Sequence, residues 1–216
     1  MCMFKSMLLL KDKVFCPNYD SHEDMINETG MEHGPMRENF VRVEITPPDD
    51  DLTVPIDKWE YKVDQDYLPE WYVEEVDKPR CFDALKAWAV KHILVGQDVP
   101  EVKQGEFVVL VNCNTGIVKG TVQKVWGGTV QEVRGGGTVQ EVWDGGTVQK
   151  VWDGGTVQKV WDGGTVQKVW DGGTVQKVLD GGTVQKQTGG IVIYADGCIS
   201  VCNKNFYRLI TPEEMK

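Results

Sequence analysis

The densest run of carboxylates in the sequence begins at the segment DQD, residues 64–66. Asp64 and Asp66 flank a glutamine, and three glutamates follow within the next nine residues. Paired carboxylates can hold a metal ion or transfer protons in acid–base catalysis. Acidic loops without such a role are far commoner. Asp64 and Asp66, with Trp59, Trp71 and Tyr72 nearby, are therefore candidate residues for a small ligand, and no catalytic residue is assigned.

Serine, histidine and cysteine form no pattern typical of catalysis or metal binding. None of the three serines lies in a G-x-S-x-G elbow, and the chain has no phosphate-binding loop or dinucleotide fingerprint. His22 and His33 flank a short predicted helix without a third partner, which favours structural histidines. The six cysteines include no Cys-x-x-Cys pair. They are expected to be reduced, buried thiols, and the sequence predicts no metal site and no cofactor.

A second set of candidates belongs to tandem repeats that begin at Gly120. The chain repeats variants of GTVQKVWDG eight times, and after a first spacing of eight residues every spacing is nine. Two residue types recur as candidate binding residues: Trp143, Trp152, Trp161 and Trp170, and Lys150, Lys159 and Lys168. Stacked tryptophans can bind sugars or bases. Packing is the competing interpretation, because Arg134, Leu179 and Thr188 interrupt the tryptophan series.

The repeats predict a parallel β-solenoid. Each contains one or two glycines and is rich in Val and Thr, which excludes a helix and favours short strands joined by glycine turns. Nine residues cannot enclose a core alone, but identical repeats can stack, so two repeats, about 18 residues, are expected to make one coil. The eight repeats of residues 120–188 then make about four coils. A calcium β-roll is excluded, because Val and Lys stand where its repeat needs Gly and Asp.

The inward face of each repeat cannot follow strict alternation. In the fourth repeat, alternation would put Val148, Lys150 and Trp152 on one face, and neither face would be apolar. If the backbone bends near Gln149 and Lys150, Val148 and Val151 both point inward, and stacking builds columns of valine. The lysines and the aspartates three places later are expected to neutralise each other around the coil.

Residues 1–105 read as a small acidic α+β domain. A strand pair is expected in residues 1–16, a helix capped by Ser21 and ended by Gly30, alternating strands at 40–45 and 58–63, and a helix from about Lys78 to Ile93 capped by Asp77. Residues 106–119 are expected to be a linker and entry strand. Residues 189–216, with degenerate β-branched strands, are expected to cap the solenoid.

Charge and hydropathy narrow the classes of partner. Residues 1–118 hold 12 basic and 23 acidic side chains, whereas the repeats at 119–188 hold 8 and 7. An acidic domain repels a phosphate backbone, so nucleic acid is disfavoured as a partner. No apolar run approaches the length of a membrane span, and the run at residues 7–10 is too short for a signal peptide. A cytoplasmic protein without a membrane is expected.

Four segments resemble an uncharacterised group of bacterial, prophage and phage proteins. They are MCMFKSMLLLKDKVF, YDSHEDM, KWEYKVDQDYLPEWYVEEVDKPR and ALKAWAVKHI, and the resemblance covers roughly residues 1–95. Proteins of that group pair such an N-terminal domain with a tail of short tandem repeats. The resemblance implies a phage or prophage context and no particular activity.

Two functions are compatible with these features. The first is a non-enzymatic binding or scaffold protein, in which the solenoid is a rigid spacer or a docking surface for a protein partner, a host protein in a phage setting. The alternative is a small-ligand-binding or enzymatic N-terminal domain that uses the Asp64/Asp66 region. The sequence leaves self-association into an oligomer open.

Overall fold

The computed structural model describes residues 5–31, 39–203 and 205–214. The chain is mainly β, and it divides into two compact units after Lys91. The first unit combines helices with an antiparallel sheet, and the second is a parallel β-solenoid of about six turns. The mainly β fold and the solenoid built from two repeats per coil, both predicted from the sequence, are confirmed.

The described part of the first unit contains one four-stranded antiparallel sheet in the order β2-β1-β3-β4. The strands are β1 (Lys5–Leu10), β2 (Val14–Phe15), β3 (Phe40–Thr46) and β4 (Glu60–Val63). Helix α1 (His22–Thr29) lies between β2 and β3, and short 3-10 turns span Pro48–Asp50 and Ile56–Lys58. Helix α2 (Glu74–His92) follows β4. The apolar side chains of β1, including Met7 to Leu10, are buried under this arrangement.

The two helices start in different ways. As predicted, Ser21 caps α1 by accepting a hydrogen bond from the Asp24 N–H at 3.2 Å, and Gly30 ends the helix in the left-handed region. Helix α2 begins at Glu74, one turn before the predicted start. Asp77 is therefore not the N-cap: its carboxylate lies inside the first turns and accepts from the Val73 N–H at 2.9 Å.

In the second unit, successive strands pass alternately into two sheets. The sheet with nine described strands, the long sheet, holds β5 (Ile93–Val95), β7 (Phe107–Val111), β9 (Thr121–Trp126), β11 (Thr138–Trp143), β13 (Thr156–Val160), β15 (Thr174–Val178), β17 (Gly190–Tyr194), β18 (Ile199–Asn203) and β19 (Phe206–Ile210). The sheet with six, the short sheet, holds β6 (Asp98–Val102), β8 (Asn114–Val118), β10 (Thr129–Val133), β12 (Thr147–Val151), β14 (Thr165–Val169) and β16 (Thr183–Gln187). Pairing is parallel up to β17.

Like residues stack on like residues from coil to coil. In the short sheet Val148 pairs with Val130 on one side and Val166 on the other, and Val151 pairs with Val133 and Val169 in the same way. All six valines are fully buried. Two residues, rather than one, separate the inward valines of a strand, so the backbone departs from strict alternation at Gln149 and Lys150, as predicted.

The two glycines of each corner serve different purposes. Gly154 has φ +78°, a conformation that is unfavourable for a residue with a Cβ. Gly155 has an ordinary φ, but a Cβ there would lie 2.0 Å from the carbonyl oxygen of Val133 in the preceding coil. Its N–H closes the turn on the Trp152 carbonyl oxygen at 2.9 Å. The first glycine therefore permits the turn, and the second permits close stacking of the coils.

The solenoid extends beyond the repeats at both ends. Strands β5 to β8 already pair in parallel within the two sheets. Residues 106–119, expected to be a linker and entry strand, hold β7 and β8. Val102, Leu110 and Val118 supply the buried side chains there without the repeat sequence. After β17, strands β18 and β19 add to the long sheet in antiparallel fashion.

Candidate functional site

The repeated tryptophans lie in two columns, one in each sheet. Each column runs along the C-terminal ends of the strands. Trp143 and Trp161 belong to the long sheet, and their rings stack with centroids 5.1 Å apart. Trp152 and Trp170 belong to the short sheet and meet edge to face at 6.4 Å. All four are half-buried. In each column, therefore, a tryptophan ring contacts the next tryptophan with its face or its edge.

The repeated lysines occupy more of the ring surface. The Lys168 ammonium lies 4.4 Å from the centroid of Trp170, and Lys150 lies 5.8 Å from the same ring. Lys159 lies 5.7 Å from the ring of Trp161. Because rings and ammonium groups cover one another, the contacts match the packing interpretation of the tryptophans better than a platform for sugars or bases.

The lysine ion pairs of the repeats run along the columns, whereas Arg134 pairs with Glu132 of its own repeat at 3.3 Å. Lys150 pairs with Glu132 of the preceding coil at 3.3 Å, and Lys159 pairs with Glu141 at the same distance. Asp144, whose repeat holds Glu141 at the lysine position, accepts a hydrogen bond from the indole N–H of Trp126 at 2.8 Å. The reason is stacking: residues at one repeat position in neighbouring coils are about 4.8 Å apart, which is closer than Lys and Asp three places apart on one strand.

The acidic segment at 64–66 behaves as three separate residues. Asp64 follows β4, and its N–H donates to the Arg42 carbonyl oxygen at 2.9 Å. Gln65, for which no role was predicted, accepts from the Arg42 N–H at 2.8 Å and donates to the Tyr67 carbonyl oxygen at 2.6 Å. Asp66 is exposed, and the residues gathered around Asp64 do not include it. The loop is thus fixed to β3 by Gln65, and of its two aspartates it places Asp64 beside the sheet.

Asp64 lies in a cluster with His22 and Glu44. One ligand atom of each of the three side chains lies within 4.8 Å of the others. His22 is the first residue of α1, Glu44 lies in the middle of β3, and Asp64 directly follows β4. The pairing of β3 with β4 brings the two carboxylates together, and α1 places the imidazole beside them. Within the described residues this cluster is the arrangement best suited to hold a metal ion, while His33 lies outside them.

A cavity of about 580 Å³ opens elsewhere in the first unit. Trp59 and Phe82 form its apolar part, and its charged lining consists of Asp57, Glu74, Glu75, Asp83, Lys78 and Lys86. Lys86 pairs with Asp57 at 2.9 Å and lowers the pKa of that carboxyl group. The cavity includes Trp59 but neither Asp64 nor Asp66, so the structure does not join the residues that the sequence grouped as one ligand site.

The thiols of the first unit are shielded rather than activated. Burial raises the pKa of Cys16 to about 11 and the pKa of Cys81 to about 12. A thiol with so high a pKa is a poor nucleophile at neutral pH. The five described cysteines are all free, as expected. Of these, Cys81 and Cys113 are fully buried, whereas Cys16, Cys198 and Cys202 are partly buried.

Comparison with known proteins adds no assignment. No family model, no curated protein and no solved structure matches this chain. Neither helix in the described chain combines the length and apolar character needed to cross a bilayer. The candidate sites therefore rest on the geometry of the repeats and of the His22 cluster.

Proposed function

We propose that this protein is a non-enzymatic scaffold whose solenoid offers its outer faces as a docking surface for another protein. The proposal rests on the side chains that face outward from the coils, because they recur in a regular order. Each repeat strand presents a threonine before its first buried valine, and glutamine and lysine or glutamate between its two valines. The threonine and the lysine or glutamate pair in register from coil to coil. A partner with its own periodic polar surface can match such rows over several coils.

The core makes this surface rigid. Each repeat strand except β16 buries two valines completely or almost completely, and the corners are hydrogen-bonded from coil to coil as well, for example from the Asp153 N–H to the Asp171 carbonyl oxygen at 3.1 Å. A surface that is already ordered loses little conformational entropy on binding. Rigidity therefore supports docking, and it also suits a spacer that holds the first unit at a fixed distance from a partner.

The charges of the coils favour a protein over a nucleic acid. The lysines that flank the tryptophans are paired with Glu132 and Glu141 or lie against indole rings, and an exposed aspartate stands at most corners. A polyanion would have to displace these contacts. With the phage or prophage context expected from the sequence of residues 1–95, the partner we propose is a cytoplasmic host protein.

The two sheets provide a matched test. Gln167 in the short sheet and Gln176 in the long sheet occupy the same repeat position, and both are exposed. The full chain is used to capture a partner from a bacterial lysate, the partner is purified, and the affinity of the wild type, Gln167→Arg and Gln176→Arg is measured. We expect one variant to lose at least about tenfold in affinity, because a hot spot on one face is blocked, while the other binds normally.

Equal melting temperatures for the two variants would confirm that both keep the fold. If neither variant alters binding, or if cross-links to the partner map entirely to residues 5–91, docking on the solenoid is wrong.

A second function has a specific observation in its favour. The cluster of His22, Glu44 and Asp64 gives the first unit a ligand-binding character that the solenoid lacks. This cluster supports the alternative of a small-ligand-binding or enzymatic N-terminal domain that uses the Asp64/Asp66 region. It includes Asp64 but not Asp66.

A further inference from the structure

The His22 imidazole is oriented by a backbone hydrogen bond. Its Nε2 lies 3.2 Å from the carbonyl oxygen of Val43, the residue before Glu44 on β3. A carbonyl oxygen can only accept, so Nε2 carries the proton and donates it. In the neutral ring Nδ1 is then a bare lone pair. Metal-binding histidines typically use the same arrangement, in which one ring nitrogen donates to a backbone carbonyl and the other binds the ion.

The lone pair of Nδ1 faces negative charge. The Asp64 Oδ2 atom lies 3.7 Å from Nδ1, and the Glu44 carboxylate completes the group within 4.8 Å. A cation placed between this lone pair and the two carboxylates would be attracted by all three groups. The distance of 3.7 Å is too long for a hydrogen bond, but it spans two metal–ligand bonds of about 2.0–2.2 Å.

The burial of the three ligands is uneven. Glu44 is 4% exposed and His22 is 7% exposed, whereas the side chain of Asp64 is 47% exposed. Two ligands are therefore fixed by the packing of α1 against the sheet, and the third lies at the surface. With three protein ligands and one open side, an ion here would keep a coordination position for water or a small ligand.

We propose that His22, Glu44 and Asp64 form a binding site for one divalent transition-metal ion of the Mn²⁺ or Zn²⁺ class. The imidazole nitrogen selects against Mg²⁺ and Ca²⁺, which prefer oxygen ligands alone, and the two carboxylates balance the charge of a divalent ion. This site is independent of the solenoid and of the docking function proposed for it.

Lys62 provides a built-in competitor. It is paired in register with Glu44 across β3 and β4, and its ammonium group lies 3.8 Å from Asp64 Oδ1. An ion in the cluster would be repelled by that ammonium group. Removing the charge of Lys62 should therefore strengthen metal binding, whereas removal of a lysine with a purely structural role would not.

The test uses the full chain with Mn²⁺ and Co²⁺ as probes, because the cysteines would bind Zn²⁺. Calorimetric titration should show one equivalent bound by the wild type. Asp64→Asn should weaken binding at least about tenfold, Lys62→Ala should tighten it, and Asp66→Asn should leave it unchanged. Asp64 is half-exposed and asparagine has the same shape, so this variant is expected to fold.

The location of the ion is read from nuclear magnetic resonance. Bound Mn²⁺ should broaden the ring signals of His22 in the wild type, and Asp64→Asn at the same Mn²⁺ concentration should lose most of that broadening. The Co²⁺ absorption spectrum should show nitrogen and oxygen ligands without thiolate bands. The proposal is overturned if neither ion binds at millimolar concentration, if Asp64→Asn and Asp66→Asn bind alike, or if the His22 signals broaden equally in the wild type and in Asp64→Asn.

Discussion

Gln187 and Ser200 close the C-terminal end of the valine core. Gln187 takes the place of the second inward valine in the last repeat and pairs in register with Val169. Its Oε1 accepts from the Ser200 hydroxyl at 2.5 Å, and its Nε2 donates to the carbonyl oxygens of Gly190 and Ser200 at 3.0 and 3.1 Å. Every polar group of this amide is satisfied, so the apolar column ends in a hydrogen-bonded contact between β16 and the strands that follow.

A double-mutant cycle tests this contact. Gln187→Val continues the valine column but leaves the buried Ser200 hydroxyl, 1% exposed, without its acceptor. We expect a loss of about 1–2 kcal/mol in the free energy of unfolding. Adding Ser200→Ala removes the unsatisfied hydroxyl and should restore most of that loss. Urea denaturation of the four proteins measures the coupling, and strictly additive effects would show that the two side chains do not depend on each other.

The corner glycines should respond unequally to alanine. Gly154→Ala forces a side chain into a positive-φ conformation and should cost about 1–2 kcal/mol. Gly155→Ala places a methyl group against the Val133 carbonyl oxygen and should cost about 3 kcal/mol, because a whole coil must move to make room. Thermal melts of both variants decide between them. Equal losses would mean that the coils are not packed as closely at the corner as the structure shows.

Val157 and Lys159 test which residues of a repeat point inward. Val157 is fully buried, so Val157→Asp places an unpaired charge in a narrow core and should cost about 3–5 kcal/mol. Lys159 is exposed and pairs with Glu141, so Lys159→Gln should change the free energy of unfolding by no more than about 0.5 kcal/mol. Chemical denaturation measures both, and similar losses would contradict the assignment of the two faces.

The stacking of the repeats could be predicted from the sequence, because strands of near-identical sequence specify their own pairing register. Val148 and Val151 must each find the same residue one coil away, whatever the details of the corner. An entry strand was expected within residues 106–119, but β5 and β6 were missed because Leu94 and Val102 occupy the same columns without the repeat sequence. Their place in the stack is set by contact with the repeats and not by a local pattern.

The His22 cluster was predictable only in part. Asp64 stands out as one of a dense run of carboxylates, but Glu44 is a single acidic residue in an alternating strand. Its proximity to His22 comes from the pairing of β3 with β4 and the placement of α1, which are contacts between distant parts of the chain. The start of α2 was misjudged for a related reason: Asp77 binds the Val73 N–H from inside the helix and not from the position before it.

The shielded thiols predict how stability changes at alkaline pH. The pKa of Cys16 is raised from 9.0 to about 11, and that of Cys81 to about 12, mainly by burial. The folded state holds these protons more tightly than the unfolded state. Their contribution to stability is therefore complete below about pH 9 and is lost as the pH rises through 11 to 12.

Alkylation by iodoacetamide provides the measurement. At pH 8, Cys16 should react roughly a hundredfold and Cys81 roughly a thousandfold more slowly in the folded chain than in urea, because the thiolate fractions fall by about these factors. Mass spectrometry of the labelled peptides gives the rate at each cysteine. Equal rates in the folded and unfolded chain would show that neither thiol is shielded.

The last prediction concerns self-association through strand edges. Strands β17 to β19 cover the edge of β15 in the long sheet, and their sequence differs from that of the repeats. The residues from 189 onward carry no net charge. Deleting residues 191–216 would expose the hydrogen-bonding edge of β15, next to β16, the end strand of the short sheet. It would also remove Ser200, the hydrogen-bond partner of Gln187. Both strand edges have the repeat sequence, so they can pair with those of another chain in several registers. We expect the truncated protein to form higher oligomers or fibres, while the full chain stays small and discrete.

A chain that lacks only residues 211–216, which follow β19, is the matched control and should behave like the full chain. Light scattering at equal concentration compares the three, and a truncated protein as dispersed as the control would show that β17 to β19 do not protect the end of the solenoid.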